Sequence, residues 1–374
     1  MRRQGLVDLV RELCREAEFF YAHSQTTQKG TLQTIRMEGS TMKQKLVWIS
    51  AVTAAALLTA ACGTQSASNT AKDHSTAKPT TPSSTGGSTT VHYPLTLTDD
   101  AGHKLTLAKQ PQHIVSATEG TDEILTALVP KKRIAMVTSQ ASNPNYSNVR
   151  AQVKGIPAIS DAASDVEKIL AAKPDLVLLA SYTKPGAVQQ IEQASVPAYE
   201  FNNFNSIADI ERNIGVVGKL VGEPAKANRL VSAMKQNLSG IHQAVKNEKK
   251  LSVLDYSSYG FAAGNQTTVN DMIVDAGGIN AAAKLNGWAK VTDEEIVKMN
   301  PDVIIDSSDD KAFIQKILHD PKLQTVSAVK NHRVYAINGA DLSSVSQYVV
   351  KGVWDVAHAM YPDANLPQVT LPTP

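Results

Sequence analysis

One short unit occurs at two distant positions in this chain, and it constrains the fold more than any other feature. In its first copy, Glu167 stands seven residues before Pro174-Asp175, and an apolar run follows. The second copy places Glu294 seven residues before Pro301-Asp302, again ahead of an apolar run. Each copy predicts a short helix, a Pro-Asp that ends it, and a buried strand. The repeat therefore predicts two similar lobes.

Short runs of strand character alternate with helical segments on both sides of a long helical stretch. The runs lie at residues 114–116, 133–138, 175–180, 251–255, 302–306 and 333–337. Such alternation is typical of parallel sheets covered by helices. We therefore expect an α/β fold in which each of two lobes has its own mostly parallel sheet.

The segment between the two groups of strands, Ser206–Asn247, is almost purely helical. Ser206 followed by Asp209 resembles the start of a capping box, and Gly222 with Pro224 ends one helix and begins the next. From Pro224 onward, apolar residues recur at spacings of three and four along one face, over about 36 Å at 1.5 Å per residue. This pattern predicts one long rigid helix that joins the lobes.

The chain divides into seven segments on this reading. They are an extension (1–41), a signal peptide (42–61), a flexible Ser/Thr/Pro-rich linker (62–91), an N-terminal lobe (92–205), a helical segment (206–248), a C-terminal lobe (249–366) and a tail (367–374). The linker lacks the apolar side chains that would offset the entropy of ordering it, so it is expected to stay flexible.

A basic segment, Met42–Lys45, runs into the apolar stretch Leu46–Ala61, which ends at Cys62. Sixteen residues are short for a membrane span, which needs about 20, but they suit the core of a signal peptide. The stretch resembles a bacterial lipoprotein signal, which implies cleavage before Cys62 and a lipid on its sulfur. The alternative is a buried cysteine after a core helix.

The first 41 residues do not fit this signal, because a signal peptide begins close to its initiating methionine. The interpretation we prefer is an upstream start assigned in error, with Met42 or Met37 as the real one. The alternative is an amphipathic helix at Leu6–Phe20. No function is assigned to this segment.

Charge and motif content exclude several classes of protein. The chain has 37 basic and 35 acidic residues, which argues against a nucleic-acid binder. Its two cysteines cannot form a cysteine zinc site or an iron–sulfur cluster. The sequence contains no nucleophile elbow, zinc-protease motif or phosphate loop, and its histidines are scattered. Asp309-Asp310 follows a predicted strand and is interpreted as a helix N-cap. We therefore expect neither an enzyme nor a bare metal site.

The order of these features resembles the solute-binding lipoproteins of bacterial ABC importers, in the class that handles iron–siderophore, haem and cobalamin. The resemblance is carried by residues 94–103, 113–119 and 122–125, by both Pro-Asp units, and by residues 276–280, Trp288 and 334–337. It implies two lobes joined by one long helix that allows small hinge motion. It further implies a monomeric, lipid-anchored extracytoplasmic protein, with no cofactor of its own, that delivers its ligand to an ABC permease dimer with ATPase subunits.

Ligands of open α/β sheets bind at the carboxyl ends of the strands, so the residues after each strand are the candidates for ligand binding. They are Tyr146, Tyr182, Asn202, Tyr256, Tyr259, Phe261 and Trp288. These loops carry almost no Arg or Lys, whereas a trianionic tris-catecholate chelate needs cationic partners. A near-neutral hydroxamate siderophore or a corrinoid suits them better. Haem is less favoured, although a tyrosine can serve as its axial ligand.

The resemblance assigns a role to the glutamates of the repeat. Glu167 and Glu294 match the positions that pair with arginines of the two permease subunits, with Glu295 as the alternative if the register is off by one. The local alternative is that a glutamate in the first helical turn complements the helix dipole. A sensory or adhesive lipoprotein without transport, and an enzyme of unknown type, remain as alternative functions.

Overall fold

A computed structural model describes residues 90–372, which belong to one compact unit spanning Ser88–Pro374. The predicted signal peptide, Cys62 and the upstream extension lie outside the described residues. Within the described range, no helix combines the length and apolar character that crossing a membrane requires.

The first sheet has five strands, all parallel, in the order β5-β4-β3-β6-β7. Its strands are β3 (Ile114–Ser116), β4 (Ile134–Thr138), β5 (Ala158–Ile159), β6 (Leu176–Ala180) and β7 (Ala198–Phe201). The helices between them are α1 (Glu119–Leu128), α2 (Arg150–Val153), α3 (Val166–Ala171) and α4 (Pro185–Gln193). An antiparallel hairpin of β1 (Leu95–Thr98) and β2 (Lys104–Leu107) precedes the sheet. The interior strand β6, which lies between β3 and β7, is buried at all five positions, as a strand covered on both faces must be.

The second sheet has four parallel strands in the order β10-β8-β12-β13. They are β8 (Ser252–Asp255), β10 (Ile279–Asn280), β12 (Val303–Ser307) and β13 (Val334–Ile337). The ribbon that accompanies this sheet pairs β9 (Phe261–Ala263) with β11 (Trp288–Lys290) in antiparallel register. The helices of this lobe are α7 (Thr268–Asp275), α8 (Asp293–Met299), α9 (Lys311–His319), α10 (Ser327–Lys330), α11 (Gly339–Leu342) and α12 (Val349–Met360). The predicted α/β fold with two parallel sheets is confirmed.

The link between the sheets consists of α5 (Ile207–Leu220) and the 22-residue α6 (Pro224–Val245). Ser206 accepts a hydrogen bond from the Asp209 N–H and begins α5, as predicted. Gly222 adopts φ +74°, a conformation that favours glycine, and Pro224 begins α6. The predicted long helix is confirmed, and it ends at Val245, two residues before the predicted end at Asn247.

The largest hydrophobic core continues from one sheet to the other. It includes Leu176 of the first sheet, Met234 and Ile241 of α6, and Val253 of the second sheet. Smaller cores fill the outer side of each lobe. Because the apolar packing runs through α6 without interruption, large rotations of one lobe against the other would expose buried surface.

The two copies of the repeat share a backbone path. The residue before each proline lies in the left-handed region, Lys173 with φ +49° and Asn300 with φ +44°. The aspartate that follows then ties the strand to its neighbour: Asp175 accepts the N–H groups of residues 112 and 113 at 2.8 Å, and Asp302 accepts the N–H of Ser252 at 2.9 Å. The repeat in sequence is therefore a repeat in structure.

The segment predicted as a tail packs along α6 and α12. The indole N–H of Trp354 donates to the carbonyl of Pro367 at 2.8 Å. The side chain of Asn237 on α6 both accepts from and donates to the backbone of Thr370, at 3.0 and 2.8 Å. These contacts fasten the C-terminal segment across the linking helix.

Candidate functional site

The candidate site lies where the carboxyl ends of the two sheets face each other. Loops that follow strands of both lobes meet there: a Cβ added at Gly339 would lie 2.6 Å from the carbonyl oxygen of Asn145. The side-chain amide of Asn148 donates to the carbonyl of Ala340 at 3.1 Å. The lobes are therefore in direct contact at these strand ends, and the region between the strand ends is the candidate cleft; glycine at position 339 permits the close approach.

Aromatic and amide groups form the wall from the first lobe. Tyr182 is 39% exposed and packs edge-to-face against Phe204, with ring centroids 6.3 Å apart. Tyr146 is half-buried in the loop after β4, and Asn202 is exposed at the end of β7. The backbone N–H of Asn202 donates to Asp100 at 3.1 Å, which fixes the position of this loop. These three candidates from the sequence lie at strand ends, as expected.

The β9–β11 ribbon and the turn before it form the wall from the second lobe. Phe261, Trp288 and Lys290 lie on the same face of the ribbon, since Trp288 pairs with Ala263 and Lys290 pairs with Phe261. The ammonium of Lys290 stands 5.5 Å from the centre of the Phe261 ring. Trp288 is 50% exposed and Tyr259, in the turn closed by Gly260 at φ +79°, is 56% exposed.

Tyr146 of the first lobe lies near Tyr259 and Asp309 of the second. Burial, with the negative charge of Asp309 and the Tyr259 hydroxyl in addition, raises the pKa of Tyr146. Groups on opposite lobes therefore share one electrostatic environment. Tyr146 therefore lies within electrostatic range of Tyr259 and Asp309 of the other lobe.

Tyr256 is a correction to the predicted site. Its side chain is 9% exposed and lies in the outer core of the second lobe, where it packs against Phe313 with ring centroids 5.4 Å apart. Strand alternation explains the error, because Tyr256 continues the face of Leu254, which points into that core. Tyr256 supports the site without lining it.

The Asp309-Asp310 pair departs from its predicted role. Asp310 occupies the N-cap position of α9, as expected, but its side chain makes no capping hydrogen bond. Asp309 instead accepts a hydrogen bond from the Ser307 hydroxyl. Buried Asp306 lies beside them, and burial together with these two charges raises its pKa to about 7. The second lobe therefore presents carboxylates at its strand ends.

Sequence reasoning missed Lys290 and the acidic character of the second wall. Lys290 was detectable, because alternation along a three-residue strand puts it on the face of Trp288. The role of Asp309 depends on the approach of Tyr146 from the other lobe, which no local signal records. Aromatic faces with carboxylates and one ammonium suit a large ligand that is neutral or carries hydrogen-bond donors. A polyanion would meet repulsion from Asp309.

Residues 90–372 contain no cluster of three or more His, Cys, Asp or Glu side chains arranged to hold a metal ion. The side chains gathered at the cleft are aromatic, carboxylate and hydroxyl groups.

The two glutamates of the repeat are exposed, each in the first turn of its helix. Because α3 runs into the start of β6 and α8 into the start of β12, these first turns lie towards the strand ends that form the cleft. Glu295 accepts the N–H of Thr292 at 2.8 Å and completes a capping box. That bond occupies Glu295 locally and leaves Glu294 as the counterpart of Glu167.

The chain is similar to known proteins of one family. A family model described as periplasmic binding protein matches residues 114–340. An uncharacterized ABC transporter substrate-binding lipoprotein of Bacillus subtilis (strain 168), YvrC, is 30% identical over 72% of this chain and 87% of its own length. A cobalamin-binding protein of Halobacterium salinarum is 23% identical over 72% of this chain and 74% of its own length.

A solved structure is also similar. It is described as a possible iron-binding (periplasmic solute-binding) protein from Staphylococcus epidermidis ATCC 12228, with 26% identity and a TM-score of 0.60. The match covers 68% of this chain and all of that one. The two-lobed arrangement of parallel sheets is thus common to both.

Proposed function

Because this chain belongs to the periplasmic binding protein family, we propose that it captures a metal chelate between its lobes and delivers it to an ABC permease. Members of this family are solute-binding proteins of transport systems. The observation that carries the proposal is the contact between the loop of Asn145 and Tyr146 and the strand ends of the second lobe, where a Cβ added at Gly339 would lie 2.6 Å from the Asn145 carbonyl oxygen, because it places groups of both lobes at one surface.

The ligand is an iron–hydroxamate siderophore or a similar near-neutral chelate. The exposed aromatic faces of Tyr182, Tyr259 and Trp288 suit stacking on a large ligand. The carboxylate of Asp309 disfavours the trianionic catecholate class. A corrinoid is the second candidate, since a relative is named as a cobalamin-binding protein and the same charge argument applies. Haem is less favoured, as are a sensory or adhesive lipoprotein and an enzyme.

The ligand can be identified directly. Native mass spectrometry of the protein purified from the growth medium of its own host is expected to show a co-purified mass of a chelate. Titration with ferric hydroxamate, ferric catecholate and cobalamin then ranks the three ligand classes by quenching of tryptophan fluorescence. Tighter binding of the catecholate than of both others would contradict the charge argument, and turnover of a probe would favour an enzyme.

Delivery to the permease uses Glu167 and Glu294, one exposed charge on each lobe. A two-fold permease reads such a carrier through a matched pair, and charges at the rim of an interface set complex formation more than ligand affinity. The double variant Glu167→Ala/Glu294→Ala is expected to keep ligand affinity and melting temperature while uptake into reconstituted vesicles and stimulated ATP hydrolysis are lost. Normal uptake by this variant would show that both glutamates only stabilise the start of their helices.

Anchoring at the outer face of the cell membrane is the last part of the proposal, and it uses Cys62. Relatives are named as lipoproteins, and the sequence before this cysteine has the pattern of a lipoprotein signal. Cys62→Ser is expected to release the protein into the medium. Cys14→Ser is the matched control and is expected to stay in the membrane fraction. Wild-type membrane retention of Cys62→Ser would contradict the assignment.

A further inference from the structure

A carboxylate of the first lobe is held by hydroxyl groups of the second. Glu123 on α1 is fully buried, and its Oε2 accepts hydrogen bonds from Ser346 and, at 3.3 Å, from Ser344. Its Oε1 accepts the backbone N–H of Asn148 at 2.7 Å. The amide of Gln347 donates to the Glu123 carbonyl at 2.9 Å. Residues 344–347 follow α11, so these bonds cross from one lobe to the other.

A second carboxyl group reaches the same point. Glu119, one helical turn before Glu123, lies within hydrogen-bonding reach of it. The Oε1 atom of Glu119 is buried and finds no donor among residues 90–372. Two carboxylates cannot hydrogen-bond to each other unless a proton lies between them. The pair therefore needs a proton to satisfy its buried oxygens.

The surroundings of this pair are poor in positive charge. From α1, Asp122 is buried beside it. From the second lobe, Tyr348 at the start of α12 approaches it with the Lys351 ammonium over its ring, and behind them lie Asp341 of α11 and Asp355 of α12, two further carboxyls whose pKa values burial raises. The only ammonium in this group is that of Lys351.

The Lys351 ammonium is already engaged. It donates to the side chain of Asn148 at 2.8 Å and lies 4.8 Å above the Tyr348 ring. It faces the Asp341/Asp355 pair more directly than Glu123, because it lowers the pKa of both of those carboxyls. A further negative charge on the Glu119/Glu123 pair would thus lack a counter-ion inside the interface.

We propose that Glu119 and Glu123 form a proton-dependent latch between the lobes, a positioning pair that fixes the separation of the cleft walls. While the pair is protonated, Ser344 and Ser346 hold it and the lobes stay closed at the base of the cleft. Loss of a proton leaves a buried charge without a counter-ion, which the two hydroxyls and the Asn148 N–H stabilise only in part, since burial outweighs them and raises the pKa of Glu123. Water enters the interface, and the two lobes loosen.

The direction with pH follows from burial. Burial raises the pKa of Glu123 to about 7 and that of Glu119 well above its usual value. The folded protein then binds more protons than the unfolded chain between about pH 4.5 and pH 7, so its stability falls as pH rises through this window. The latch is therefore closed below about pH 7 and released above that pH.

The test measures the separation of the lobes without any ligand. In the full chain, Cys14→Ser and Cys62→Ser remove the native thiols, and Gln189→Cys on α4 with Gln315→Cys on α9 place one exposed spin label on each lobe. Pulsed electron paramagnetic resonance is expected to show a narrow distance distribution at pH 5.5 and a broader, longer one at pH 8.5. An identical distribution at both values overturns the proposal.

Three variants separate a latch from a merely structural role. Glu123→Gln keeps the shape of the side chain and replaces the shared proton by an amide N–H that can donate to Glu119, so it is expected to stay narrow at both pH values. Glu123→Ala is expected to be broad at both. Glu200→Gln is the matched control, a partly buried carboxyl with a raised pKa on β7 alone, and it is expected to behave as the wild type. A wild-type pH response in Glu123→Gln overturns the proposal even if the alanine variant fails to fold.

A ligand measurement extends the test, and only this arm rests on the proposed function. With ferric hydroxamate as the probe, the wild-type Kd is expected to rise about fivefold or more from pH 5.5 to pH 8.5, the lower end of measured coupling between sites. Glu123→Gln is expected to abolish that rise, and an equal rise in this variant contradicts the latch. No binding at any pH contradicts the proposed ligand, while the distance measurement still decides the latch.

Discussion

The two Pro-Asp units follow the same backbone path but are stabilised by different contacts. In the second lobe, α8 begins with a complete capping box and ends at Asn300, a residue that tolerates the left-handed conformation. In the first lobe, α3 begins without a side-chain cap and ends near Lys173, which does not share that tolerance. Asp175 compensates with one more hydrogen bond than Asp302 makes.

This difference separates what the repeat must keep from what it can vary. The position of the glutamate relative to the strand is the same in both lobes. The helix cap, the type of residue in the left-handed conformation and the number of hydrogen bonds made by the aspartate all differ. A glutamate complements the helix dipole from any position of the first turn, so local stability alone does not require Glu167 and Glu294 to stand at the same distance from the strand. The comparison therefore favours a role for the glutamates at the protein surface.

The largest expected effect comes from reversing one charge at a time. Glu167→Lys and Glu294→Lys are each expected to lower uptake into vesicles at least about tenfold, because each puts a like charge against its permease subunit. Glu248→Lys, an exposed site beyond the end of α6, is the matched control and is expected to transport normally. Loss in one lobe's variant with normal transport by the other would break the equivalence of the two units.

The strand ties give the next largest effect. Asp175→Ala removes the acceptor for two backbone N–H groups and is expected to lower the free energy of unfolding by about 2–4 kcal/mol. Asp302→Ala removes the acceptor for one and is expected to cost about half as much. Urea unfolding monitored by circular dichroism measures both. Equal losses would show that the second tie is as strong as the first.

The sequence alone predicted the secondary structure and the two-sheet architecture well, for physical reasons. Buried parallel strands such as β6 and β12 read as apolar runs, and the α6 stripe follows the helical period. Both patterns are local, so they survive without knowledge of the fold. Boundaries shifted by one or two residues, where capping decides the last turn.

The site was less predictable, because it depends on contacts between residues far apart in the chain. Tyr256 and Tyr259 stand in one loop, yet strand alternation sends the first into the core and leaves the second exposed. Glu123 lies on a helix face like any polar residue until Ser344 and Ser346 cover it. Glu123 and Ser344 are 221 positions apart in the sequence, and no local periodicity predicts a contact over such a separation.

The aromatic residues of the two lobes are expected to contribute differently to ligand affinity. Trp288→Ala is expected to weaken ligand binding by about 1–3 kcal/mol, since it removes the larger exposed ring. Tyr182→Ala is expected to cost less, because Phe204 remains beside it. Val274→Ala, an exposed apolar site on α7, is the control. Calorimetric titration measures all three, and unchanged affinity in the Trp288 and Tyr259 alanine variants would remove the second wall from the site.

The smallest effect, and the only one with opposite signs in the two lobes, is expected at the left-handed residues. Lys173→Gly relieves a strained φ and is expected to raise the free energy of unfolding by about 0.5–1 kcal/mol after the cost of a more flexible unfolded chain. Asn300→Gly relieves less strain and loses an acceptor, because Asn300 Oδ1 binds the N–H and hydroxyl of Ser327 at 2.8 and 3.0 Å. It is expected to lower stability by about 1 kcal/mol.

Lys173→Asn is the control and is expected to stabilise slightly, since asparagine tolerates this conformation. Thermal unfolding of the three variants decides the matter: stabilisation by both glycine variants would mean that the Asn300 side chain contributes nothing beyond its backbone tolerance, and the two units would then differ only in their caps.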